Sequence, residues 1–285
     1  MKVAYEYSEL VEMIDSTLLK PFVSAEEIEQ LCKDATEYGF KAVIVNPVHV
    51  KTCKKLLKDT KVKVGTVVGF PLGDDLTKIK LYEIKLAKKE GAEEIDAVMS
   101  LSAARAGDWK YIGKEIKKMV KKTKKNSVFK SKKKRVNRIF KVILETSYLS
   151  DEEIVKACQV CVEAGADFVK TGTGYAGNAT PEHVALMLRA VKNQLSELSN
   201  KDDKKYCGVK ASAGIRTYEQ ANALAEAGAT RIGTSHAAEI AKEGKKFDRA
   251  AKSEAKAREK EAVEREKADD FTEEPVGAAA EKTDE

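Results

Sequence analysis

The chain has 285 residues, 42% of them apolar and 34% charged, with a net charge of +6. That is enough apolar material for one large domain or two small ones, and no apolar run approaches the ~20 residues that a membrane span requires. The opening Met1-Lys2-Val3-Ala4-Tyr5-Glu6 lacks the apolar core of a secretory signal, and five cysteines form no disulfide framework, so a cytoplasmic protein with reduced thiols is expected.

Read in chain order, the sequence alternates strand and helix. Strands are expected at about 13 to 18, 41 to 46, 63 to 69, 94 to 100, 140 to 146, 167 to 172, 208 to 213 and 231 to 235. Helical stretches lie between them, with start signals at Ser24 before Glu26 and Glu27, at Ser150 before Asp151 to Glu153, and at Thr180 with Pro181 and Glu182. Four helices close on a glycine followed by a strand: Gly39, Gly91, Gly165 and Gly228, each suited to the left-handed conformation that ends a helix. Eight such alternations in about 240 residues predict a (β/α)8 TIM barrel, an α/β fold, over about residues 1 to 241.

Charge is distributed unevenly. From Lys114 to Lys141 there are twelve Lys and two Arg against Glu115 alone, so this stretch carries +13 and the rest of the chain −7. It reads as a Lys-rich insertion, a lengthened connection at the bottom of the barrel, away from the strand ends that carry barrel chemistry. Residues 242 to 268 read as a charged C-terminal helix, and Asp269 to Glu285, with seven acidic residues and one Lys, as a disordered acidic tail. Cys158-x-x-Cys161 falls within a helical pattern, where two buried thiols are expected rather than a redox pair.

Side chains at the C-terminal ends of barrel strands carry the chemistry. Those positions hold Asp15 and Thr17, Asn46, Asp96, Glu145, Lys170, Lys210 and Ser235. Lys170 follows the apolar run Ala166-Asp167-Phe168-Val169 and precedes a glycine loop; Lys210 repeats that setting in Gly208-Val209-Lys210-Ala211-Ser212-Ala213-Gly214. An ordinary lysine, with a pKa of about 10.4, leaves about one amine in a thousand neutral near pH 7, and only the neutral form attacks a carbonyl. Desolvation or a neighbouring cation lowers the pKa, so two lysines at strand ends suggest Schiff-base chemistry. Asp96 stands in the apolar strand Glu94-Ile95-Asp96-Ala97-Val98-Met99, and an inward carboxylate there needs a cationic or hydrogen-bonding partner, whether for a structural ion pair or for catalysis.

Several motifs in order resemble the deoxyribose-phosphate aldolase family. They are Asp15-Ser16-Thr17-Leu18-Leu19-Lys20-Pro21, Val64 to Gly73, Glu94-Ile95-Asp96, Lys141 to Thr146, Ala164 to Thr171 and Gly208 to Ser212, and the likeness runs from about residue 10 to 241. The resemblance implies a class I aldolase, a carbon–carbon lyase that reversibly cleaves 2-deoxy-D-ribose 5-phosphate to D-glyceraldehyde 3-phosphate and acetaldehyde in deoxyribose and deoxyribonucleotide catabolism. It implies Lys170 as the Schiff-base lysine, Lys210 as the cation that depresses its pKa, Asp96 as the proton carrier, and Asp15 and Thr17 as supporting residues. The substrate phosphate is expected near Gly174, Ala213, Gly214 and Ser235, beyond the last three strands. No metal or other cofactor is implied, and a homodimer or homotetramer is expected.

The chain departs from the family pattern at three places: Gly172 where a serine is usual, Ala213 in place of the first of two glycines, and His236 in place of a small residue. An alanine at position 213 is expected to keep φ negative. The alternative is a catalytically weakened aldolase kept as a binding module, with the basic stretch on nucleic acid or another acidic partner; Phe129 and Phe140 are its only aromatics, which argues against base stacking. Gly172-Thr173-Gly174-Tyr175-Ala176-Gly177 matches a dinucleotide fingerprint only formally, since its helix starts too late, and His49, His183 and His236 are too dispersed for a metal site.

Overall fold

The computed structural model describes residues 5–125, 136–199 and 206–270. A short helix α1 (Tyr7–Val11) leads into β1 (Ile14–Leu18), and the chain then alternates through α2 (Ala25–Tyr38), β2 (Ala42–Val45), α3 (Val50–Leu56), β3 (Lys63–Val68), α4 (Thr77–Glu90) and β4 (Glu94–Val98). It continues through α5 (Leu101–Arg105), α6 (Trp109–Lys124), β5 (Ile139–Ile143), α7 (Asp151–Ala164), β6 (Phe168–Lys170), α8 (Pro181–Ser199), β7 (Gly208–Ser212), α9 (Tyr218–Glu226), β8 (Arg231–Thr234) and α10 (Ala237–Asp270). All eight strands pair in parallel, each with its sequence neighbour, and β8 returns to β1 to close the barrel. This is the expected (β/α)8 architecture.

Local sequence explains the boundaries. Ser24 and Ser150 cap α2 and α7 in reciprocal boxes with Glu27 and Glu153, and Thr217 does the same for α9 with Gln220. Gly39, Gly91 and Gly165 end α2, α4 and α7 in the left-handed conformation. β1 ends at Leu18 as expected and the other seven strands stop one to three residues earlier than the sequence pattern suggests, which leaves the residues after them free to form the mouth of the barrel.

Alternation in the strands divides the core. Outward residues such as Val43, Val64, Ile95, Val142, Val169, Val209 and Ile232 pack with the helices in the main apolar cluster. Cys158 and Cys161 join it from α7, fully buried, as the helical pattern implied. Inside the barrel, a small apolar group of Ala42, Ile44 and Val67, with Leu19 and Phe70 against it, occupies the β2–β3 side.

Four expectations change. The Lys-rich stretch is not all insertion: residues 114 to 124 belong to α6, and 139 to 141 begin β5, while 126 to 135 lie outside the described residues. The charged C-terminal helix is continuous with the eighth barrel helix, because α10 starts at Ala237; the compact units divide after Glu243. Of the acidic tail, Asp269 and Asp270 end α10 and the rest lies outside the described residues.

The fourth change concerns Ala213, which has φ +97, not a negative value. The β7–α9 loop is held in that shape by the loop after β6: the Ala179 N–H donates to the Ala213 carbonyl at 3.0 Å, and the Asn178 side chain fills the space beside Gly214, 2.1 Å from where a Cβ would stand. A non-glycine residue in this region costs about 1–3 kcal/mol. Glycine there would relieve that strain and lose about 0.4–1 kcal/mol through the unfolded chain. Ala213→Gly is therefore expected to stabilise the fold by about 1 kcal/mol, seen as a higher denaturant midpoint at constant slope. An unchanged or lower midpoint would show that the loop is not strained.

Candidate active site

Parallel register brings the ionisable residues of six strands to one level inside the barrel. Asp96 pairs with Lys141 across β4–β5, Lys170 with Lys210 across β6–β7, and Lys210 with Arg231 across β7–β8. Each of these positions faces inward because its neighbours along the strand, such as Ile95, Val142, Val169 and Ile232, pack outward.

Asp96 is the hub. Its Oδ2 accepts from Lys170 Nζ at 3.1 Å and Lys210 Nζ at 2.8 Å, and its Oδ1 accepts from Lys141 Nζ at 2.9 Å. Asp15 accepts from Lys210 Nζ at 2.5 Å and lies 2.6 Å from Arg231 Nη2. Glu94 accepts from Lys141 and from Arg231 Nη2, the latter at 2.5 Å. Asp15, Asp96, Lys141 and Lys210 are fully buried, Lys170 and Glu94 are 1% exposed and Arg231 4%. Gly233 makes room for this packing, since a Cβ on it would meet Lys210 Cε at 2.8 Å.

Counting charges shows which group gives up its proton most readily. Four potential cations (Lys141, Lys170, Lys210, Arg231) face three carboxylates (Asp15, Glu94, Asp96), all of them buried. Lys141, Lys210 and Arg231 each contact at least two carboxylates, whereas Lys170 contacts Asp96 alone. The excess proton is held most weakly on Lys170. Burial lowers its pKa to about 8, helped by Lys210 and Lys141 and opposed by Asp96. The sequence expectation assigned this depression to Lys210; desolvation is the larger cause. Burial also works against ionising Asp96, yet Lys141, Lys210 and Lys170 hold its carboxyl well below the usual range. Lys141 goes the other way: Asp96, Glu94 and Asp15 outweigh burial and raise it.

Above this cluster lies a cavity of about 310 Å³. It is lined by Thr17, Gly174, Ala213, Gly214 and Ser235, and by Gly233, against which Lys210 packs. Thr17 is also tied to its own strand, its Oγ1 donating to the Asp15 carbonyl at 2.9 Å. Thr171 braces the ends of β6 and β7, donating to the Ser212 carbonyl at 2.8 Å and accepting from its N–H at 2.9 Å.

The nine residues singled out from the sequence thus fall into two adjoining groups: Asp15, Asp96, Lys170 and Lys210 in the ion cluster, and Thr17, Gly174, Ala213, Gly214 and Ser235 at the cavity. Two other strand-end residues serve elsewhere. Asn46 donates to the Lys20 carbonyl at 3.1 Å, and Glu145 clasps the loop after β6 through the N–H of Thr173, at 3.2 Å, and its hydroxyl. Lys141, Glu94 and Arg231 were not anticipated as members of the cluster. Lys141 was hidden at the end of the basic run, although its place in Phe140-Lys141-Val142-Ile143 is that of an inward residue of an otherwise apolar strand; Glu94 shares the inward face with Asp96, two residues on.

Residues 10–240 match the model of the DeoC/LacD family aldolases. The chain is 48% identical over 238 residues to a deoxyribose-phosphate aldolase of Caldanaerobacter subterraneus subsp. tengcongensis, covering 83% of this chain and 94% of that one. It is 45% identical over 235 residues to one from Thermococcus gammatolerans, covering 81% and 95%. Among solved structures, the deoxyribose phosphate aldolase of Aeropyrum pernix, described as a unique tetramer, superposes with a TM-score of 0.73 at 31% identity, covering 85% of this chain and 93% of that one. A closed barrel with a buried, pKa-depressed lysine at its centre and this degree of likeness lead to one conclusion: the chain belongs to the DeoC/LacD aldolase family.

Proposed function

We propose that this protein is a class I deoxyribose-phosphate aldolase, which cleaves 2-deoxy-D-ribose 5-phosphate reversibly to D-glyceraldehyde 3-phosphate and acetaldehyde through a Schiff base on Lys170. The observation that carries the reading is the position of Lys170 as the weakest-held cation of a buried, positively unbalanced cluster, whose Lys210 packs against Gly233 in the wall of a cavity that contains no acidic residue. With a pKa of about 8, about one Lys170 amine in ten is neutral at pH 7, roughly a hundredfold more than for an ordinary lysine.

In this reading the neutral Lys170 Nζ attacks the C1 aldehyde of the open-chain sugar, and loss of water gives the iminium. That cation draws the electrons of the C2–C3 bond as the C3 hydroxyl loses its proton, releasing glyceraldehyde 3-phosphate and leaving an enamine. Protonation of the enamine at C2 and hydrolysis return acetaldehyde and the free amine. Asp96, held as a carboxylate beside Nζ, accepts and returns protons through water and balances the iminium. Lys210 and Lys141 keep Asp96 ionised and oppose protonation of Lys170, and Asp15 orients Lys210. Thr17 supports the same wall. Gly174, Ala213, Gly214 and Ser235 receive the phosphate. The iminium itself is the electron sink, so the reaction as written calls for no metal.

The barrel unit carries this activity, in the cytoplasm, as a dimer or tetramer; the tetrameric Aeropyrum pernix relative supports self-association. No helix among the described residues is long and apolar enough to cross a membrane.

Incubation with 2-deoxy-D-ribose 5-phosphate or acetaldehyde followed by borohydride is expected to add a stable mass to the peptide containing Lys170, read by mass spectrometry. No adduct in the folded protein, together with no cleavage of the sugar phosphate, would sink the assignment.

The pH dependence follows from the sign of the shift. Below about pH 8 the lysine is mostly protonated, so initial trapping rates should rise with pH at close to tenfold per unit, then level off above about 8. A plateau reached only near 10 would show that Lys170 titrates as an ordinary lysine.

Replacing Lys210 by Leu removes one cation and frees Asp96 to pair more fully with Lys170. Both effects raise the pKa of Lys170, so trapping at pH 7 should slow by about tenfold or more and its inflection should move upward. Unchanged rate and inflection would remove Lys210 from its assigned role.

A further inference from the structure

Arg231 opens β8, buried in the ion cluster, and no step of the proposed reaction uses it. Its Nε donates to Asp15 Oδ1 at 2.9 Å, its Nη2 lies 2.6 Å from the same oxygen, and Nη2 donates to Glu94 Oε2 at 2.5 Å. One planar guanidinium thus joins β1 to β4, with the Phe168 ring 5.7 Å from its centre. Glu94 Oε1 has no hydrogen-bond partner among the described residues, so the charge of Glu94 rests on Lys141 and Arg231. Burial works against ionising Asp15, yet Arg231, ahead of Lys210 and Lys141, holds its carboxyl well below the usual range. Burial also works against the guanidinium, but Asp15 and Glu94 outweigh it and raise its pKa above that of an ordinary arginine. What Arg231 takes from these two carboxylates Lys210 and Lys141 must find elsewhere. Asp96 is the carboxylate they share with Lys170. The charged groups around Lys170 and Arg231 are Asp15 from β1, Glu94 and Asp96 from β4, Lys141 from β5 and Lys210 from β7. On the other side β2 and β3 present Ala42, Ile44 and Val67, and Glu145, beyond β5, turns to Thr173.

We infer that Arg231 is a positioning residue for the Schiff-base lysine: by occupying Asp15 and Glu94 with a charge it does not release, it drives Lys141 and Lys210 onto Asp96 and leaves Lys170 as the amine that loses its proton. The inference deepens the aldolase reading and rests on it for the role of Lys170. Arginine suits the task because a guanidinium stays charged and its fork reaches two carboxylates at once, whereas a lysine there would add one more amine able to give up the proton.

The test follows the pH dependence of Lys170 trapping by acetaldehyde and borohydride in the full-length protein, in Arg231→Met and in the double variant Arg231→Met/Glu94→Gln. Arg231→Met leaves three cations on three carboxylates, so the inflection should move up from about pH 8 by about one unit or more. Adding Glu94→Gln leaves three cations on two carboxylates and should bring the inflection back toward 8. A slower or less stable Arg231→Met with an unmoved inflection, or a double variant whose inflection stays raised, would show a merely structural arginine and overturn the inference while the aldolase assignment stands. Should Arg231→Met fail to fold, Arg231→Gln, which keeps a donor for either carboxylate, carries the same expectation. Should the unaltered protein form no adduct, the aldolase assignment fails, and titration of the Lys170 ¹³Cε resonance, identified by its loss in Lys170→Met, decides the inference in the same variants. An upward shift in Arg231→Met that the double variant reverses supports it; an unmoved resonance overturns it.

Discussion

The barrel interior holds one more potential cation than carboxylate, and the chemistry of the site depends on that inequality. A charge in a water-free interior needs a partner within contact distance. Asp15, Glu94 and Asp96 satisfy Lys141, Lys210 and Arg231 through two or three contacts each, leaving Lys170 with a share of Asp96. The amine that is to become neutral is selected by where its competitors stand. Removal of any one carboxylate would increase the imbalance and threaten the fold, since breaking a buried pair costs about 3–5 kcal/mol. Removal of one cation would balance the cluster and return the proton to Lys170. The same arrangement thus constrains both stability and nucleophilicity, in opposite directions.

The placement of apolar residues preserves this effect. Ala42, Ile44 and Val67 fill the β2–β3 side of the interior, with Leu19 and Phe70 packed against them. They bring no dipoles that could stabilise a protonated Lys170, and they leave the carboxylates on β1 and β4 as its available counter-charges. Phe70 also meets Tyr175 edge to face, ring centres 5.7 Å apart, so the loops after β3 and β6 approach each other over the mouth. The polar half of the barrel supplies reactivity, and the apolar half limits how that charge is relieved.

Much of this was legible in the sequence because strand periodicity and strand-end position are local signals. Lys170 and Lys210 each end an apolar run before a small-residue loop, and Asp96 interrupts an apolar strand. The counter-ions were harder to see. Arg231 meets Glu94 from 137 residues away, and nothing local distinguishes such an arginine from a surface one until the barrel closes. Lys141 was obscured for a different reason: it adjoins a run of lysines, and composition assigned it to that run although alternation in β5 points it inward. The cause of the Lys170 shift was also partly hidden, because desolvation is a property of the completed barrel, whereas a second lysine can be seen in the motif. At Ala213 the residue type suggested a conformation that its neighbours override.

The departure at Gly172 has a local explanation that joins the loop after β6 to the strand before it. Glu145 follows β5 in the left-handed conformation, φ +57, and its carboxylate accepts from the Thr173 N–H and hydroxyl. Its Oε1 thereby stands 2.7 Å from where a Cβ on Gly172 would be. A serine at 172 could not enter this arrangement unless the carboxylate moved, so glycine and the Glu145 clasp belong together. The clasp also fixes Thr173, whose hydroxyl accepts from the Tyr175 N–H at 3.1 Å and so shapes the turn at Gly174 on the cavity wall.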